Sequence, residues 1–331
     1  MILKTSSKGL RLILWAFTLT LLSAPFLNGA GGAEFPTKPL QIVITFPPGG
    51  SNDTTARIVV TKVPAHLGQP MVVVNKPGGG GVIGTHGVMS APADGYTILG
   101  ASAPNMTAPF LMKGVRYNLL KDFTPISLAV TSPMLLIVKG DAPWQTVEQF
   151  IAEAKKKPGE LTYAVPAYGS TAHFTGELFK MHTKTDLTCV PREGTGQVIP
   201  AVLGGHVHAF FPEVGIMQKY LAAGSLRALA VTSKQRHKDF PNVPTMTEKG
   251  FPDVVTSSWQ SYWVRAETPR EIVEKLGQAF KEGLRDKELI GTFEKMGFLV
   301  ENYGPTEAAE FLTQDQQIKI EVIKAAKMAP Q

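Results

Sequence analysis

The sequence predicts an α/β protein in which two successive strand–helix series build two lobes around a cleft. Three observations carry this reading. Short runs of β-branched and aromatic residues alternate with helical patterns, which implies sheets covered by helices. A glycine-rich turn follows a strand and precedes a helix in each series, at "PPGGSNDT" (47–54) and "VPAYGSTAH" (165–173). Apolar strand patterns near residues 132–140 and 252–262 let the chain cross between lobes twice, which makes a hinge.

The first series opens with "LQIVITF" (40–46), a strand stopped at Pro47-Pro48. Beyond Gly49-Gly50, the apolar Ala56, Val59, Val63 and Leu67 fall three and four apart, so a helix follows, and Pro64 should kink or shorten it. "PMVVVNK" (70–76) and "YTILGAS" (96–102) are the next strands. Between them, "PGGGG" and "PADG" bracket a short helix. The strand order implies a parallel sheet.

A second series begins at "MLLIVKG" (134–140). Thr146 and Gln149 form a capping box for a helix that Pro158-Gly159 ends. Strands follow at 161–165, 187–190, 207–211 and 226–233, with a helix through Leu178 and another ending at Gly204-Gly205. "SSWQSYWVRA" (257–266) is a further strand, followed by a helix with Thr268 and Glu271 as its capping box and Pro269 at its first position. A last helix is expected from about Thr306 to Lys327.

Charge and targeting limit the chemistry. Lys4, Lys8 and Arg11 precede an apolar run from Leu12 to Leu22, with small residues after it, which is the layout of a signal peptide over residues 1–33, cleaved after Ala30 or Ala33. The run is too short to span a bilayer of about 30 Å. Without those three cations the formal charge of +6 falls to +3, a mild excess that suits small anions and offers no basic stripe for nucleic acid. Cys189 is alone and reads as a small buried hydrophobe. His206 and His208 have no second pair at zinc spacing, so no metal and no cofactor are expected.

The two turns place helix-start N–H groups at strand ends, where open α/β sheets bind anions. Residues 49–57 lack the P-loop lysine, and neither Ser51 nor Ser170 stands in a G-x-S-x-G elbow. Ser170 and His173, three apart at a helix start, leave open an exported serine hydrolase, against a reading in which Ser170 and Thr171 cap the helix. Asp53 either pairs with Arg57 along the helix or accepts a hydrogen bond from a ligand.

Together, "TKPLQIVITFPPGGSNDTTARIV", "LGQPMVVVNKPGGGGVIGTHGV", "APADGYTILGAS", "GELTYAVPAYGSTAHFTGELFK", "VLGGHVHAFF" and "PNVPTMTEKGFP" resemble the extracytoplasmic substrate-binding receptors of tripartite tricarboxylate transporters, the Bug family, in collinear order over the chain after residue 33. The resemblance implies a type II periplasmic-binding-protein fold with two Rossmann-like lobes and two crossing strands. Residues 34–135 plus 255–331 would form lobe 1 and 136–254 lobe 2. It also implies a periplasmic receptor without catalytic residues, which holds a small organic acid or related amide for membrane permease subunits. A monomer is expected.

By position, the resemblance assigns one carboxylate grip to Phe46, Gly49, Gly50, Ser51 and Asp53, and the other to Gly169, Ser170, Thr171 and His173, with Ser102 and Asn105 lining the cleft. The chain departs from the family at Pro191-Arg192-Glu193-Gly194 and at Phe211-Pro212-Glu213. Arg192 is a candidate for a second carboxylate, and Glu213 for a polar or cationic group. A receptor that senses its ligand for a signalling partner would use the same cleft.

Overall fold

A computed structural model describes residues 35–192 and 194–328. The expected signal peptide and Glu193 lie outside the described residues. Among the described residues, eleven strands form two sheets. In the first, of order β11-β4-β10-β3-β1-β2, β1 (Leu40–Ile44) pairs in parallel with β2 (Met71–Asn75) and β3 (Thr97–Ala101). The half beyond β3 is antiparallel: β10 (Ser257–Arg265) pairs with β3 and β4 (Phe123–Pro133), and β11 (Leu299–Tyr303) with β4. The expected parallel sheet is therefore a mixed one. The residues after 257 return to it as an antiparallel insertion.

The second sheet has the order β7-β6-β8-β5-β9. Here β6 (Thr162–Val165) runs parallel to β7 (Thr188–Pro191) and β8 (Ala209–Phe210), and β5 (Leu135–Lys139) is antiparallel to β8 and β9 (Leu226–Val231). The chain passes between sheets at Pro133–Leu135 and again between Val231 and Ser257.

Each sheet has its own apolar core. Val43, Leu99, Met106, Trp259 and Trp263 pack in the first, and Phe150, Tyr163, Phe179, Phe210 and Phe211 in the second. Among the described residues, eleven α-helices cover them: α1 (Ser51–Val59), α2 (Val82–Met89), α3 (Ala103–Leu111), α4 (Leu119–Asp122), α5 (Val147–Lys156), α6 (Thr171–Thr183), α7 (Thr195–Leu203), α8 (Val214–Ala222), α9 (Arg270–Gly283), α10 (Lys287–Lys295) and α11 (Pro305–Ala325). α1 stops at Val59, and Pro64 sits in a separate 3₁₀ turn, because proline lacks the N–H that would continue the helix. The Thr146 cap forms as read from the sequence, with its hydroxyl accepting the Gln149 N–H at 3.4 Å. At α9 the expected capping box does not form: Pro269 takes the cap position with extended ψ, and the Thr268 hydroxyl is buried without a partner.

Candidate functional site

Five helices begin around one cavity of about 610 Å³. α1 follows β1 and α3 follows β3 in the first sheet, while α6, α7 and α8 follow the adjacent strands β6, β7 and β8 of the second. Their first residues line it: Gly50 and Ser51, Ser102 and Pro104, Ser170 and Thr171, Gly194 and Thr195, and Glu213. Helix N-termini carry unpaired N–H groups and the positive end of the dipole, so their convergence makes an electropositive hollow. Among the described lining residues no side chain is cationic. Hollows of about 610 and 470 Å³ also flank the crossing segments near Ser233–Lys238 and Pro252–Ser257, but no helix begins at either.

The free donors are unevenly distributed. The α3 start is closed by the Ser102–Asn105 capping box, and the α6 start by the Ser170 hydroxyl, which accepts the His173 N–H at 3.3 Å. α1, capped by Gly50, α7, capped by Gly194, and α8, with Glu213 at its cap position, have no side-chain cap. The Ser51 hydroxyl is buried without a hydrogen-bond partner. An unmet buried hydroxyl is costly unless a ligand or water meets it, so the α1 start is where an anion gains most.

Of the positions assigned from sequence, Phe46, Gly49, Gly50, Ser51, Ser102, Ser170, Thr171 and Glu213 line this cavity. Asp53, Asn105, Gly169, His173 and Arg192 do not. Asp53 is buried and its carboxylate is filled by the protein: one oxygen accepts the Gly49 N–H and Arg57 Nε, both at 2.9 Å, and the other accepts Asn75 Nδ2 and faces Arg57 Nη2, also at 2.9 Å. The Arg57 hydrogen bond is the main cause that holds its pKa at about 2, helped by Gly49 and Asn75 and opposed by burial. Asp53 therefore shapes the turn, in which Gly49 sits at φ +80°, a conformation glycine adopts without strain.

Asn105 has the same kind of role. Its Oδ1 accepts the Ser102 N–H, and its Nδ2 donates to the hydroxyls of Thr45 and Thr85, each at 3.0 Å. The glycine run explains itself there: a Cβ on Gly81 would stand 2.8 Å from Asn105 Nδ2, so the run at 78–81 permits close packing. Arg192 follows the edge strand β7, is part-exposed and, among the described residues, donates to its neighbour's carbonyl, Pro191 O, at 3.5 Å.

His173 does not face the cavity. It is buried, and its Nδ1 accepts the Gly169 N–H at 3.0 Å, which fixes Nε2 as the protonated nitrogen of the neutral ring. Burial lowers its pKa to about 4; Glu177 opposes that shift and Lys180 adds to it. The Ser170 hydroxyl donates to Ala167 O at 2.8 Å rather than to His173, so these two side chains do not form a nucleophile–base pair. A sign follows for stability. Between about pH 6.5 and 4 the unfolded chain binds a proton here that the folded chain refuses, so folding weakens as pH falls through that window. The expected loss is about 2–4 kcal/mol. Thermal melts of the parent should show it, and His173→Gln should flatten that slope; an unchanged slope in the variant would contradict the assignment.

Residues that sequence reading passed over form the cavity's apolar walls: Met134, Pro166, Phe210, Phe211, Pro212 and Trp259. Trp259 is fully buried, and its indole N–H donates to Asp315 of α11 at 2.8 Å, which fixes the ring. Gln260, Ser258 and Thr195 add polar edges. Among the described residues no group of three His, Cys, Asp or Glu side chains could hold a metal, and His208 Nδ1 accepts the Thr162 N–H at 3.0 Å. Cys189 is part-buried and free, and desolvation pushes its thiol pKa up.

Residues 55–328 match the model of the tripartite tricarboxylate transporter family receptor. The chain is 35% identical over 285 residues to protein BugT of Bordetella pertussis, covering 86% of this chain and 87% of BugT. Its structure resembles that of the periplasmic binding protein BugD, with a TM-score of 0.75 and 30% identity over 90% of this chain and all of that one. It also resembles an R. palustris protein, Rpa4515, solved with adipate, with a TM-score of 0.78 and 30% identity over 90% of this chain and 100% of that one. The two-sheet α/β architecture, the cavity between helix starts and these matches together establish that the chain belongs to the tripartite tricarboxylate transporter receptor family and has its periplasmic-binding-protein fold.

Proposed function

We propose that the protein is a periplasmic receptor that captures a small carboxylate in the cavity between its sheets and delivers it to membrane permease subunits, without chemical change to the ligand. The convergence of five helix N-termini on a hollow with no cationic side chain among its described lining residues supports this most strongly. Backbone donors of that kind hold an anion without turning it over. Adipate in the R. palustris relative agrees with a carboxylate ligand. Residues 34–135 with 255–331, and 136–254, would be the lobes that close on it, pivoting at the two crossings. The closed form is the state a permease would read.

Protein stripped of ligand is expected to gain about 2–3 kcal/mol of stability at a hundred-fold excess of ligand over Kd. A Cβ at Gly50 meets only the Pro47 carbonyl, at an ordinary 3.5 Å, so Gly50→Val should fold normally. Its bulk lies at the α1 start and should abolish the gain. A variant that melts with the parent and keeps the full gain would remove this turn from the site.

A further inference from the structure

We propose that the ligand carries a single carboxylate at one end and a hydrogen-bond-donating nitrogen, ammonium or amide, at the other, and that Glu213 selects it by excluding a second carboxylate. This rests on the carboxylate-receptor reading above and sharpens it. Strand order gives the cavity two ends. The starts of α1 and α7 follow β1 and β7, away from the crossings, whereas Glu213 follows β8, which neighbours the crossing strand β5. Glu213 bridges Met134 at the crossing, and the Ser258 hydroxyl at the start of β10 hydrogen-bonds to it. The α1 and α7 starts therefore lie toward one end and the acid toward the other, where the α8 start is also without a side-chain cap.

Glu213 is the one ionisable side chain among the described residues that line the cavity. The groups packed against it, Met134 from the crossing and Ser258 from β10, bring no charge. Its side chain caps none of its own helix's N–H groups, although it stands at the cap position of α8. Burial pushes its pKa up, and the Ser258 hydrogen bond only partly offsets this. The same lining includes the apolar Phe46, Phe210, Phe211, Met134 and Trp259, which suit an apolar spacer. An ammonium at the far end would restore Glu213's preferred charge and meet its oxygens, and an amide N–H would meet them too. A second carboxylate can enter only by sharing a proton with Glu213, as two carboxyls in one site must.

The probes are matched pairs of equal chain length: γ-aminobutyrate against succinate, δ-aminovalerate against glutarate, and ε-aminocaproate against adipate, with the three monoamides as a further arm. Titration calorimetry at neutral pH should give the best amino acid or monoamide at least a ten-fold advantage over its dicarboxylate. Glu213→Gln should reduce that advantage to within about three-fold, whereas a merely structural role would weaken all probes alike. Any dicarboxylate binding to the parent should strengthen as pH falls, with proton uptake, and binding of the amino acid should not. Equal or tighter binding of the dicarboxylates by the parent overturns the selectivity while leaving the carboxylate receptor intact. Absence of binding by every carboxylate probe, with binding of a carboxylate-free amide, overturns both.

Discussion

Gly215→Ala is expected to destabilise the protein by about 3 kcal/mol or more, the upper range for overpacking a site that cannot relax. Gly215 is the second residue of α8, and a Cβ there would stand 1.8 Å from the Met296 carbonyl oxygen. Gly297 faces it from the other side, since a Cβ on Gly297 would lie 2.3 Å from Gly215 Cα. Both partners are backbone, so no rotamer change makes room. Gly297 is itself tied to the crossing through the Ser132 hydroxyl, which donates to its carbonyl at 3.1 Å. Displacing α8 would move Glu213 two residues earlier, so ligand affinity should fall together with stability. Gly196→Ala, at the start of α7, is the control: its Cβ would meet nothing within 4 Å, and the change should be within about 0.5 kcal/mol. Urea unfolding of the two variants checks this, and equal midpoints would contradict the backbone contact.

Asp53→Ala should have the second large effect, through the turn rather than through the ligand. It removes the acceptors of Gly49 N–H, Arg57 and Asn75 in one step. Leaving buried donors unmet costs about 3 kcal/mol, a figure moderated because the Arg57 side chain is half exposed and stays hydrated. Asp53 is also acid-sensitive in a defined window. Its folded pKa of about 2 lies below the ordinary 3.8, so its contribution is complete above about pH 4 and is lost as pH falls through 2. That contribution is about 1–2 kcal/mol. The stability gap between parent and Asp53→Ala should therefore narrow between pH 4 and pH 2. A gap that stays constant across that range would show that the ionised carboxylate is not what holds the turn.

Much of the architecture was legible because strand and helix periods differ and because Gly-Pro punctuation falls at real turns. Glycines at strand ends mark the β1–α1 and β6–α6 turns as candidate anion sites, and the structure puts Gly50, Ser51, Ser170 and Thr171 on one cavity. Other features depend on neighbours far away in sequence. Asp53 and Arg57 are visible as a helix pair, but Asn75, which completes the cluster, lies on another strand. Arg192 looks like a ligand contact because of its chemistry, yet it does not line the cavity, whereas Gly194 and Thr195 just after it do. Phe210, Phe211 and Trp259 follow ordinary core patterns, and it takes the folded arrangement of strands to show that they also line the cavity. The mixed first sheet was hidden for the same reason, since β4, β10 and β11 are joined by pairings of long range.

The most direct test of the central claim, that helix N-termini hold a carboxylate, compares an acid with its own methyl ester. The acid that best stabilises the ligand-free protein would be titrated beside the ester, which adds one methyl group and loses the charge. Two charge-assisted hydrogen bonds contribute about 3 kcal/mol or more, so the ester should bind at least a hundred-fold more weakly. Equal affinity for acid and ester would contradict a site built from backbone donors for an anion.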